Sequence, residues 1–187
     1  MDQAIAVPSP NAPPAVVSDA IRAEQIKGVY RGTMPGLIAS LVAAIVVAAL
    51  LVYLGNISAV VAGIFVGSIL LQSAARTILV SRYWRRDQPV GEWRRWARWI
   101  TASALVGGLC WGLGSVWLMA RGQMDEQILL LLVDTAIASG AVTAFGSYLP
   151  TYRWNVLPIM LPPMFWFAWL GDVPHLALAL MIVIWLA

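Results

Sequence analysis

Two ionisable side chains stand inside long uncharged runs, and any chemistry would begin with them. Asp134 lies in ILLLLVDTAIASGAV, about two turns into an apolar stretch. An ionised carboxylate at that depth in a bilayer costs about 2.5–3.5 kcal/mol on insertion scales, so the residue must face other helices. Two readings fit it. Either it is a proton-linked or ligand-binding group, or it bonds to a hydroxyl or indole of a neighbouring helix and holds the bundle together. Arg76 comes near the end of another apolar run, where a long basic side chain can snorkel to the headgroups. Read that way it is an anchor. A salt bridge between the two is not expected, because they lie towards opposite ends of their helices, about 10 Å or more apart in depth.

Pro158, Pro162 and Pro163 interrupt a further apolar stretch and remove backbone donors, so the freed carbonyls need partners inside the bundle. With Trp166 and Trp169 beside them, and Trp111 from another run, they are candidates to line a small-ligand cavity; equally, they read as a structural kink alone. Metal and haem chemistry is not expected. The chain has one cysteine, Cys110, and one histidine, His175, too few for a disulfide or a tetrahedral site. No catalytic motif and no cofactor signature stands out. Trp84, Trp93, Trp96 and Trp99 alternate with Arg85, Arg86, Arg94, Arg95 and Arg98. Aromatic and basic residues together can bind nucleic acid, but between two apolar runs they form an interfacial belt. Trp93 and Trp96 would share one face of a short amphipathic helix on the inner leaflet.

The elements that must position these residues follow from composition. Of 187 residues 60% are apolar and 11% charged, against about 25% charged in a soluble domain. Such a chain needs lipid as its solvent. Residues 1–17, rich in proline, read as a disordered tail, and 18–32 as a polar juxtamembrane helix. A transmembrane domain then fills 33–187, with spans at about 33–54, 57–80, 99–120, 128–149 and 154–170 and a shortened sixth run at 175–187. The sixth run covers about 18 Å at helical rise, so the sequence reads as part of a longer chain. The fold class is therefore all-α, a polytopic helical bundle of about six spans. The arginine-dense stretch 81–98 belongs in the cytoplasm by the positive-inside rule, which puts both termini inside. Gly63 with Gly67 and Gly108 with Gly112 are GxxxG pairs, and Ala136, Gly140 and Ala144 repeat small residues at the same spacing. They suit close helix packing within the bundle or between protomers.

Two stretches carry a family resemblance: RYWRR followed by WRRWARWITASALVGGLCWGLGSVWL, and AIASGAVTAFGSYLPTYRWNVLPIMLPP. Together they resemble the six-helix N-terminal membrane modules of bacterial GGDEF/EAL (cyclic-di-GMP) signalling proteins and hybrid histidine kinases. Trp111 and Gly112 match a Trp-Gly step in that group, and Gly140, Ser147, Leu149, Pro150, Pro158 and Pro162 match its second pattern. The resemblance covers roughly residues 20–187 and is one of composition and spacing. It implies a sensory domain in a bacterial inner membrane, forming a homodimer and relaying a membrane or periplasmic stimulus to a cytoplasmic effector beyond Ala187. That effector would be a diguanylate cyclase, phosphodiesterase or kinase domain; no such motif occurs in these residues. A proton- or cation-coupled transporter and a passive dimerising anchor are the alternatives. The lipid bilayer is the expected partner under each.

Overall fold

A computed structural model describes residues 14–86 and 90–187. The expected disorder of the first 13 residues lies outside them. Among the described residues the chain forms six α-helices and one short 3-10 turn. They are α1 (Pro14–Tyr53), α2 (Ala59–Trp84), α3 (Trp93–Met119), α4 (Met124–Phe145), α5 (Leu149–Leu170) and α6 (Val173–Leu186), with the 3-10 turn Val90–Glu92 leading into α3. The all-helical reading of the sequence holds.

Four of the helices, α1 to α4, are long and apolar enough to cross a membrane. Large apolar side chains cover their outer surfaces: Ile38 and Val46 on α1, Leu71 on α2, Leu113 on α3 and Leu132 on α4 are all well exposed. A helix apolar on all sides is stable only where lipid meets its outer face. α5 has the length, 22 residues, but carries Arg153, Asn155 and three internal prolines and is not one of the four. α6 is apolar and only 14 residues long.

α1 differs from the expected tail, separate juxtamembrane helix and span. It is one helix of 40 residues, passing through Gly32 and Pro35 without interruption. The reason is a continuous buried stripe. Ile26, Val29, Tyr30, Thr33, Leu37, Ser40, Ala44, Val47 and Leu51 recur at steps of three and four and are all buried. Gly28 and Gly32 bring this stripe against the end of α4, where a Cβ on Gly32 would stand 2.9 Å from the Thr143 carbonyl. The polar start of α1 thus docks on the bundle.

The closest-packed pair is α3 with α5, and the prolines explain it. Pro162 and Pro163 remove the amide donors that would bond the carbonyls of Pro158 and Ile159. Those two carbonyl oxygens face Gly112, where an added Cβ would collide with both. Gly108 likewise sits against the backbone of Asn155. The glycine pair of α3 thus accepts the distorted turn of α5, which stays helical throughout. Asn155 adds a 3.0 Å bond from Nδ2 to the Ala104 carbonyl, and Thr101 and Thr151 bond at 2.7 Å.

Candidate functional site

Asp134 is wholly buried on α4 and accepts a 2.7 Å hydrogen bond from Ser115 Oγ of α3. Ser115 is itself fully enclosed, and the second carboxyl oxygen, Oδ2, is buried without a partner. This is the interhelical bond to a hydroxyl. Further towards the α3–α4 connection the polar groups are also tied to one another. Asn56 Nδ2 donates to Glu126 Oε1 at 2.7 Å, and Gln127 Nε2 to the Met119 carbonyl at 3.2 Å. His175 Nε2 meets Gln127 Oε1 at 2.8 Å while its Nδ1 meets Asp172. His175 therefore clamps the start of α6 to α4. The His175 backbone N–H, and then its ring, hold the Asp172 carboxyl below its ordinary range.

Arg76 overturns the anchor reading. Its side chain is 5% exposed and turns into the bundle. Nε donates to Ser103 Oγ at 2.8 Å, and Nη2 bonds the Ser103 carbonyl, both on α3. The guanidinium carbon lies 5.5 Å from the centre of the Phe145 ring on α4. Helix position is the cause: Gln72, Ser73, Arg76, Val80 and Tyr83 form one buried stripe of α2, facing α3 and the core. Among the described residues no carboxylate lies within ion-pair distance of Arg76, so Asp134 and Arg76 are not paired.

Arg76 borders a cavity of about 270 Å³ between α1, α2, α3, α4 and α5. Gln72, Trp111, Ser40, Thr33 and Asn155 supply its polar wall. Trp111 is held by a 2.8 Å bond from its indole Nε1 to Ser40 Oγ and by an edge-on contact with Phe65, ring centres 5.6 Å apart. Gln72 gives Nε2 to Ser73 Oγ at 3.1 Å, and its Oε1 is buried without a partner. On the far side of Arg76, Gly107 leaves room for the guanidinium that any Cβ there would obstruct.

The sequence candidates thus separate. Trp111 lines the cavity; Asp134, Pro158, Pro162 and Trp166 do not. Pro158 is buried against Gly108, Pro162 and Trp166 are half-buried, and Trp166 lies 5.5 Å from Trp169. Gly108 and Gly112 pack helix on helix, whereas Gly63, Gly67 and Gly140 have open space where a side chain would go. Trp96 is not an interfacial anchor. It is 7% exposed and packs edge-on against Tyr30 and Tyr83, which stack with ring centres 3.8 Å apart. Trp93 begins α3 directly and donates its indole N–H to Asp19 at 2.9 Å, while Arg94 reaches the same carboxylate at 3.8 Å. The short surface helix is absent because α1 extends far enough to cover this end of the bundle. Arg85, Arg86 and Arg95 remain at the exposed arginine-rich end. Gln72, Ser103, Ser40 and Asn155 escaped the sequence reading as site residues. The spacing of four between Gln72 and Arg76 was the available signal.

Comparison with protein-family models, with curated proteins and with solved structures finds no match to this chain.

Proposed function

We propose that this chain is a membrane-embedded sensory module of a bacterial inner membrane, which binds a small ligand within the bundle and answers by a change in helix packing. The observation that carries this reading is the cavity around Arg76: a guanidinium that stays charged, enclosed among helices, with no counter-ion on the cavity wall among the described residues. Burying an ion without a counter-ion costs several kcal/mol, only part of which Ser103 and Phe145 offset, and a passive anchor has no use for that cost. A bound ligand would offset it. Five helices meet at the cavity, so filling it bears on α1, whose first turns also rest on α4 and beside Trp93 at the arginine-rich end. That end faces the cytoplasm by the positive-inside rule, and α1 and α6 are the elements that would pass a shift to a cytoplasmic signalling domain, within a homodimer. The resemblance to the membrane modules of cyclic-di-GMP and histidine-kinase proteins agrees with this role.

The test is thermal unfolding of the purified chain in lipid nanodiscs with membrane-soluble quinones, fatty acids and pH steps. A ligand at one hundred times its Kd adds about 2.7 kcal/mol, which raises Tm by about 5 °C or more at this chain length. The same ligand must also shift the distance between spin labels at Arg22 and Arg153, in a Cys110→Ser background. Indifference of both readouts to every compound would overturn the sensory reading.

A further inference from the structure

The cavity's remaining donors and its opening say more about the ligand, on the premise that the sensory reading above is right. Arg76 uses Nε and Nη2 on Ser103, and among the described residues Nη1 has no acceptor. The Ser40 hydroxyl accepts from Trp111 and has no acceptor for its own proton. The two residues line one chamber, one of them cationic and nineteen-twentieths buried. Among the described residues no acidic one stands on the wall. One guanidinium matches one negative charge; a phosphate monoester, at about −1.5 to −2, would exceed it.

The chamber is open on one side. Pro35, Gly36 and Ala39 of α1 and Ala136, Gly140 and Thr143 of α4 line it and are also exposed on the outer surface of the bundle. All six are small, so the two helices leave a slot between them. Around the slot stand Ile38, Val42, Leu132 and Val142, each more than half exposed. This surface is apolar and belongs in lipid, so the approach to Arg76 is from the membrane. At about 270 Å³ the chamber holds a headgroup and the first few carbons of a chain, not a whole lipid.

We infer that the cavity binds the carboxylate of a single-chain amphiphile, held by Arg76 Nη1 and Ser40 Oγ, with its hydrocarbon tail leaving between α1 and α4 into the bilayer. The charge sets the headgroup, and the position of the slot sets the tail.

Saturable binding of radiolabelled palmitate to the chain in phosphatidylcholine nanodiscs tests this. The expected result is one site per chain, with hexadecanol and acetate failing to compete and hexadecyl phosphate competing at least tenfold more weakly than palmitate. Arg76→Gln should weaken palmitate at least tenfold. Gly140→Phe, which fills the slot at a position with open space around it, should do the same without touching the charge, and it carries the test if Arg76→Gln does not fold. Competition by hexadecanol equal to palmitate would refute the role of charge, and competition by acetate the role of the tail. Wild-type affinity in folded Gly140→Phe would overturn the slot as the entry. If palmitate does not bind but a quinone stabilises the chain and moves the labels, the ligand class fails and the sensory reading stands.

Discussion

Asp134 and Arg76 are both charged residue types buried in a helical bundle, yet their surroundings differ in kind. Asp134 is fully enclosed, bonded to Ser115 through one carboxyl oxygen, and lines no cavity among the described residues. Arg76 is bonded to Ser103 on one side and borders open space on the other. The first arrangement ties two helices together with no adjoining space; the second leaves a charged group beside space that a ligand could fill. Burial of a charge inside a membrane protein is thus no guide to function until one asks what space adjoins it.

The largest effect separating the two regions should come from glycine. Gly112→Leu drives a side chain into the carbonyls of Pro158 and Ile159, which cannot withdraw without breaking α5. It should cost about 3 kcal/mol or more, seen as loss of monodisperse protein in detergent and a large fall in Tm. Gly140→Leu, in the hollow region, should stay within about 0.5 kcal/mol of wild type. Equal damage from both would remove the distinction between a filled and a hollow half.

A double-mutant cycle over Ser115→Ala and Asp134→Leu should give a coupling of about 0.6–1.7 kcal/mol, the range for interhelical hydrogen bonds in membranes, from chemical or thermal unfolding in detergent. Zero coupling would free Asp134 for another role. Trp111→Phe keeps the ring against Phe65 and removes the bond to Ser40, so about 1 kcal/mol of stability should go. The smallest effect is at the α5–α6 turn. Asp172 has its folded carboxyl below its ordinary value, so its contribution is present above the unfolded value of 3.8 and is lost as pH falls through the lower folded value. Asp172→Asn should flatten that acid-side slope of Tm, with little change near neutral pH.

Much of the fold was legible because apolar runs of membrane length leave few alternatives. What misled was local context that spacing alone does not carry. Gly63 with Gly67 and Gly108 with Gly112 have the same spacing, but only the second pair meets a turn whose carbonyls prolines have freed. Arg76 resembled an anchor because it stands within two turns of the helix end, whereas the buried stripe through Gln72 and Tyr83 turns it inward. Trp96 resembled a belt residue because it lies among arginines, and only the length of α1 beyond Gly32 brings Tyr30 over it. The buried stripe from Ile26 to Leu51 was visible in the sequence at steps of three and four. The polar residues on the opposite face of 18–32 drew attention from it. Asp134 stayed open between two readings because its partner, Ser115, belongs to another helix at a distance in sequence that no pattern fixes.

The most direct measurement sets the two charged sites against each other: saturable palmitate binding in nanodiscs by the wild type, Arg76→Gln and Asp134→Asn, each confirmed folded. The account predicts that Arg76→Gln loses at least a factor of ten in affinity while Asp134→Asn binds as the wild type does. Loss in Asp134→Asn with retention in Arg76→Gln would contradict it.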